Sequence, residues 1–490
     1  MSDHTATPAL PALPVLWTAD DAAAATNGRA AGSWQATGVS IDSRSVAPGD
    51  LFVAIQGPNF NGHDFVAAAL RNGAAAAAVA TPPPGVAADA PLLVVDDTLA
   101  ALADLGHVAR LRSRARVIGV TGSVGKTGTK EALRHCLATQ GTAFATAGSL
   151  NNHWGVPLSL ARLPERADFG VFELGMNHAG ELGPLSRQVM PEVAVITTVE
   201  PAHLEFFASV EAIADAKAEI FEGMDPDGVA VLNRDNPHFA RLLAAARTRG
   251  LTRIWTFGSH VDADARVVEQ AQLATASTVT AIVKGERLHY SVGMPGRHWV
   301  MNSLAVLLAV RAVGGDVAAA AQALAHLPAV KGRGTRNRIH LHQGAITLID
   351  ESYNASPAAM AAAFEVLGKS DPAAGGRRLA VLGDMRELGT RADGLHAALA
   401  GPLRAAGVDA VYCCGPHMRA LFSHLPPGLR GHWAEDAGSL APVVAEAVRG
   451  GDVVLVKGSA GSRMARVVET LTALDRGEGG ISPQSNAQCG

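Results

Sequence analysis

At 490 residues the chain is too long for one ordinary core and fits two or three α/β domains. A hydrophobic content of 48% excludes a disordered or fibrous protein, and a formal net charge of -4 offers no polyanion-binding surface, so no nucleic-acid partner is expected. Met1 to Pro14 lacks the basic and apolar regions of a signal peptide. Ala68 to Ala80 is broken by Arg71, Asn72 and Gly73, and no stretch reaches the roughly 18 to 20 apolar residues a membrane span requires. Of the four cysteines, Cys136, Cys413, Cys414 and Cys489, the adjacent pair lies in the apolar run DAVYCCG and reads as buried small hydrophobes rather than a redox pair. A reducing, cytoplasmic location is expected.

The chain divides into three regions. The first, 1–105, holds the strand candidate LFVAIQG, a helix through Phe65 to Leu70, and a closing run PLLVV. The second, 106–328, opens with the apolar strand Val117 to Val120, then a glycine-rich turn and a helix from about Thr127, with Ala132, Leu133, Cys136 and Leu137 on one face. FGVFELGM, VAVITTV, GVAVLN and RIWTF follow as strands alternating with helices, the pattern of a mostly parallel sheet. Alternation on either side of Lys284, Gly285 and Glu286 predicts an appended hairpin, and a helix over Trp299 to Val313 ends the region. The third, 329–476, alternates AITLID, RLAVLG, AVYCC and DVVLVKG with helices starting near Pro357, His396, Leu440 and Gly461. A polar tail, 477–490, closes the chain.

Thr121-Gly122-Ser123-Val124-Gly125-Lys126-Thr127 lies between a strand and a helix. Backbone N–H groups of such a turn wrap phosphates, Lys126 reaches the terminal phosphates, and the Thr127 hydroxyl holds magnesium. Val120 stands where the general pattern G-x-x-x-x-G-K-[ST] has its first glycine. The alternative is a glycine turn beside a surface lysine, and strand–loop–helix context argues against it. Kinases, hydrolases and ligases all use a phosphate loop, so the acceptor must be read elsewhere.

Further along stand IDSRSVAPGDLFVAIQGPNFNGHDF, SLNNHWGVPLSL, FELGMNHAGE, EPAHLEFF, AIADAKAEIF, PGRHWVMNSLAVLLA, IDESYNASP, VLGDMRELG and VLVKGSAGSRM. In this order, and with TGSVGKT, they resemble the Mur ligase family over nearly the whole chain. The resemblance implies an N-terminal UDP-muramoyl-peptide domain, a central phosphate-loop ATPase domain and a C-terminal Rossmann-like domain. It implies an ATP-dependent carboxylate–amine ligase acting through an acyl phosphate. IDESYNASP, and the absence of an Asp-Asn-Pro-Arg run, point to the dipeptide-adding branch, whose partners are UDP-N-acetylmuramoyl-tripeptide and D-alanyl-D-alanine. A monomer is expected. Open alternatives are a ligase adding one amino acid, a kinase and a nucleotide-sensing module.

The same resemblance assigns residues. Lys126, Glu173, His203 and Lys217 form the catalytic set, with Lys217 carbamylated. Thr127, Glu173, His203 and the modified Lys217 hold two magnesium ions. A glutamate within an apolar strand also reads independently as costly to bury without a partner. ATP contacts are Gly122, Ser123, Val124, Gly125, Lys126, Thr127, Gly128, Asn302, Arg333, Asp350, Tyr353 and Asn354, and His298 is a further pocket candidate. The UDP-sugar peptide falls to Ser43, Arg44, Asn61, His63, Asn151, Asn152 and His153. Asp384, Lys457, Ser459 and Arg463 form the active face of the closing domain, with Met385 and Glu387 beside them.

Overall fold

The computed structural model describes residues 14–57 and 59–477. The N-terminal stretch to residue 13, Cys489 and residues 478–490 of the expected tail lie outside the described residues.

The first region contains β1 (Trp17–Thr18), β2 (Arg29–Ala30), β3 (Gln35–Ala36), β4 (Gly38–Ser40), β5 (Asp50–Val53), β6 (Ala76–Val79) and β7 (Leu92–Val94). β1 pairs with β3, and the others form a sheet in the order β2-β7-β6-β5-β4, parallel except at β2. Helix Thr98–Arg112 follows, its first turn held by Asp97, whose carboxylate accepts from the N–H groups of Leu99 (2.7 Å) and Ala100 (2.9 Å). Such a cap contributes about 1 kcal/mol. The expected division between 105 and 106 falls inside this helix, which runs unbroken to Arg112 because Leu102, Leu105 and Ala109 continue one buried face. Helix Gly155–Ala161 of the second region packs against it, with Leu158 and Ala161 in the same core as Trp17 and Leu51. Gly106 permits the approach, since a Cβ there would sit 3.0 Å from the Pro157 carbonyl oxygen. Trp17 Nε1 donates to Ala161 O at 2.9 Å and Arg162 Nε to Val39 O at 2.5 Å, which completes the junction.

The second region holds β8 (Arg116–Thr121), β9 (Ala143–Ala145), β10 (Phe169–Glu173), β11 (Val193–Ile196), β12 (Val229–Asn233), β13 (Arg253–Gly258), β14 (Ala265–Gln272), β15 (Ser277–Val283) and β16 (Glu286–Val292). Their order is β16-β15-β14-β13-β12-β11-β8-β10-β9, parallel from β9 to β14 and antiparallel beyond. The inner strands are near-continuous apolar runs because helices cover both faces. The expected hairpin is β15–β16, turning through Lys284 (φ 49°) and Gly285 (φ 88°), the paired positive φ of a type I′ turn. Pairing of Glu173 with Val120 and of Ile196 with Thr121 brings the carboxyl ends of β8, β10 and β11 to one level.

The third region comprises β17 (Thr335–His340), β18 (Ala345–Glu351), β19 (Arg378–Gly383), β20 (Ala410–Cys414), β21 (Arg430–Ala434) and β22 (Val453–Lys457), in the order β17-β18-β22-β19-β20-β21. Only the β17–β18 pair is antiparallel. Pro357 occupies the first turn of helix Pro357–Gly368, with the Ser356 hydroxyl accepting from Ala359 N at 3.3 Å. The helix expected near His396 begins at Ala392, after a 3-10 turn. The one expected near Gly461 begins at Ala465, because Arg463 takes left-handed backbone. Among the described residues no helix is long and apolar enough to cross a membrane.

Candidate active site

The phosphate loop is shaped by its own glycines and by the segments packed on it. Gly122 (φ 147°) and Gly125 (φ 90°) turn the chain from β8 into helix Lys126–Ala138. A Cβ on Gly125 would lie 2.9 Å from Asn302 Nδ2, so glycine lets helix Arg297–Ala312 press Asn302 against the loop. The segment leaving β11 braces the other side. Ser123 N donates to Thr198 O (2.8 Å), Thr197 Oγ1 donates to Val124 O (2.6 Å), and Ser123 Oγ donates to Glu200 O (3.0 Å). Lys126 Nζ curls back onto Gly122 O at 2.8 Å. Burial lowers the Lys126 ammonium pKa; the Glu173 charge opposes this, and Arg333 pushes the same way.

Glu173 ends β10 and is 1% exposed. Its Oε1 accepts from Asn151 Nδ2 at 2.7 Å, while Oε2 is buried without any partner. An ionised oxygen left in this way is costly unless a cation meets it. The orphaned oxygen therefore fits a divalent ion. Lys217, 2% exposed, is buried and does not line the cleft. Burial and then the positive charge of Lys126 push its ammonium pKa well down. A neutral amine is the form that adds carbon dioxide, so this environment fits a carbamate. Among the described residues no three His, Cys, Asp or Glu side chains form a metal cluster. A magnesium site built on Glu173 would need oxygen donors from outside that set, such as the Thr127 hydroxyl and phosphate oxygens.

The third region faces this loop across a cleft of about 1170 Å³. Lys457, 2% exposed, ends β22 and donates to Glu351 (3.0 Å) and to Asn354 O (2.9 Å). Arg333 stacks on the Tyr353 ring at 4.6 Å, and the Tyr353 hydroxyl hydrogen-bonds Ser149. Ser459 Oγ accepts from Arg386 N at 3.0 Å. His203 Nδ1 donates to the carboxylate of Glu387, which holds that carboxyl below its usual range. Burial lowers the His298 pKa, with Glu351 raising it and Lys457 lowering it.

Ser123 to Gly128, Asn151, Glu173, His203, Asn302, Arg333, Tyr353, Asn354, Lys457 and Ser459 thus line one cleft. Gly122 sits one residue behind it. Other expected contacts lie off the lining and hold backbone. Asp350 accepts from Ser352 N (3.0 Å), Asp384 from Met418 N (2.9 Å), and Asn152 from Gly155 N (2.9 Å). His153 is exposed, edge-on to Trp154, and Arg463 is exposed beyond Gly461. In the first region Arg44 forks onto Asp42 (2.9 and 2.6 Å), and Ser43 O accepts from Asn72 (3.1 Å). His63 donates through Nδ1 to Asn61 (2.9 Å) and accepts at Nε2 from Ala80 N (2.9 Å).

Asn177, Glu351 and Arg386 line the cleft without having been expected there. Lys130 was also passed over: it is 0% exposed, donates to Thr146 O (2.7 Å) and Gly148 O (2.9 Å), and so ties the loop helix to the segment carrying Asn151. Its spacing of four from Lys126 placed it on the same helix face, a readable signal.

Three family models match the chain in order. They are described as Mur ligase family, catalytic domain (residues 35–110), Mur ligase middle domain (120–310), and Mur ligase, glutamate ligase domain (336–460). The UDP-N-acetylmuramoyl-tripeptide–D-alanyl-D-alanine ligase of Rickettsia prowazekii is 32% identical, covering 88% of this chain and 94% of its own. The Escherichia coli enzyme of the same name is 34% identical, covering 88% and 93%. Among solved structures, MurF of Acinetobacter baumannii superposes with a TM-score of 0.80 at 30% identity, over 93% of this chain and 99% of that one. The Thermotoga maritima MurF ligase in complex with ADP gives 0.72 at 29%, over 89% and 97%. With its three α/β regions matched in sequence and in space, the chain belongs to the Mur ligase family.

Proposed function

We propose that this protein joins D-alanyl-D-alanine to UDP-N-acetylmuramoyl-tripeptide with ATP, releasing ADP and phosphate, in peptidoglycan precursor synthesis. The observation that carries this reading is the orphaned Glu173 oxygen beside the Lys126 loop, faced across one cleft by Lys457 and Arg386. The names of the relatives support the substrate pair. The reading places the enzyme in the cytoplasm as a monomer, with functional divisions near 328 and past Arg112, where helix Thr98–Arg112 ends.

The tripeptide carboxylate attacks the γ-phosphorus and ADP leaves, giving an acyl phosphate. The dipeptide amine then attacks the acyl carbon, a C–N bond forms, the C–O bond breaks, and phosphate departs as the amine loses its proton. Lys126 and the N–H groups of Ser123 to Gly128 hold the phosphates, while Asn302, Arg333, Tyr353 and Asn354 hold the rest of ATP. Gly122 turns the loop toward them. Glu173, His203, Thr127 and carbamylated Lys217 would hold two magnesium ions, which when bound neutralise charge on the transferred phosphoryl oxygens. Asn151 orients Glu173. Ser43, Arg44, Asn61, His63, Asn152 and His153 serve the UDP-sugar peptide, the hydrogen-bonded ones by shaping its loops. Lys457 and Ser459 close the cleft and exclude water, with Asp350, Asp384 and Arg463 setting the loops that carry them.

A product assay tests this. Supplied with ATP, magnesium, UDP-muramoyl tripeptide and D-alanyl-D-alanine, the enzyme forms UDP-muramoyl pentapeptide in step with ADP and phosphate, read by mass spectrometry and a coupled assay. Folded, ATP-binding enzyme that makes no pentapeptide from either diaminopimelate- or lysine-containing donors would overturn the substrate assignment.

A further inference from the structure

Two loops from different regions meet at the edge of the cleft. One leaves β11 and carries His203; the other leaves β19 and carries Glu387. Both residues hold left-handed backbone, φ 55° and 63°, which non-glycine residues seldom adopt without surrounding constraint. The loops are joined twice: Glu205 N donates to Glu387 O at 3.2 Å, and His203 Nδ1 donates to the Glu387 carboxylate. Gly389 (φ 56°) lies beside Glu205, which leaves room for the approach.

In a neutral imidazole, a carboxylate accepting from Nδ1 selects the tautomer with the proton on Nδ1 and the lone pair on Nε2. Histidines that bind metals are commonly oriented by such a carboxylate. Here it arrives from the third region, 184 residues away in sequence. We propose that Glu387 is a positioning residue that acts through His203: docking of the third region locks His203 with Nε2 open to magnesium, which couples cation binding to closure of the cleft. The inference rests on the assignment of His203 to magnesium.

The test is a titration of the full chain with Mn2+, followed by electron paramagnetic resonance, in the presence of UDP-muramoyl tripeptide and a non-hydrolysable ATP analogue. Glu387→Ala weakens the weaker of two Mn2+ sites by about 10- to 100-fold and leaves the tighter one within about twofold, the scale of losing an outer-shell partner. Glu387→Gln keeps an oxygen that can accept the Nδ1 proton and recovers most of that affinity. Raised magnesium restores turnover in Glu387→Ala. His203→Ala separates the two layers of the argument. If it loses the weaker site while Glu387→Ala binds both ions as the parent does, the role of Glu387 is overturned and His203 stands as a ligand. If His203→Ala keeps both sites, the ligand assignment fails and the inference with it.

Discussion

The central cleft and the first region were both expected to hold charged substrate groups, yet Glu173 in the one and Arg44 and His63 in the other are in opposite states. In the cleft, one oxygen of Glu173 has no partner, and burial lowers the pKa of Lys126 there and of Lys217 outside its lining. In the first region Arg44 already grips Asp42, and His63 uses both ring nitrogens internally. A group left unsatisfied inside a protein is held at a cost by its surroundings and is ready for a ligand. A satisfied group contributes the shape of its loop. Charged and polar side chains therefore do different work in the two regions, and substitutions can separate these roles.

The largest effect is expected at Glu173. Glu173→Gln keeps the bond from Asn151 and removes the charge, and kcat should fall by ~10²- to 10³-fold with no loss of melting temperature, as for the loss of one electrostatic stabiliser. Retained turnover would remove Glu173 from the metal set. Next comes Lys217, whose folded pKa lies below its unfolded one. The unfolded chain then binds the extra proton, so the lysine destabilises the fold at neutral pH, and this penalty fades as pH rises toward about 10.4. In buffer free of carbon dioxide, Lys217→Met should be more stable than the parent at pH 7. The gap should narrow at up to about 1.4 kcal/mol per pH unit in denaturant titrations, and a gap independent of pH would contradict the buried, neutral lysine.

Effects in the first region should be smaller and of another kind. His63→Ala loses two hydrogen bonds and should cost about 2 kcal/mol by chemical denaturation, at about 1 kcal/mol each. Unaltered stability would mean that His63 does not hold its loop. Arg44→Ala touches an exposed fork and should leave stability as it is. Its expected signature is a several-fold rise in KM for the UDP-substrate at constant kcat, the mark of uniform binding. A fall in kcat alone would contradict that role.

Much of the frame was legible because the inner strands are apolar on both faces: VAVI, VAVLN and RLAVLG announce β11, β12 and β19 without help from periodicity. β14, β17 and β21 were passed over. ARVVEQAQ, TRNRIH and RGHWA carry charged or polar side chains that are largely open to solvent, and β17 and β21 are sheet edges. The phosphate loop was readable as a local turn. The carbamate proposed for Lys217 is suggested only by resemblance, since its burial depends on how its helix docks. Glu173 was half legible: a carboxylate in FGVFE looked costly, but its unpartnered oxygen is a property of packing. The His203–Glu387 pair is long-range, and no local pattern announces it.

If a carboxylate is activated as an acyl phosphate, one of its oxygens must end in the released phosphate, and isotope tracing follows that transfer. UDP-muramoyl tripeptide labelled with 18O in its terminal carboxylate is turned over with ATP and D-alanyl-D-alanine, and the released phosphate is analysed by mass spectrometry. One labelled oxygen is expected in each phosphate, carried over when the C–O bond breaks. Unlabelled phosphate from a reaction that still forms the pentapeptide would contradict it.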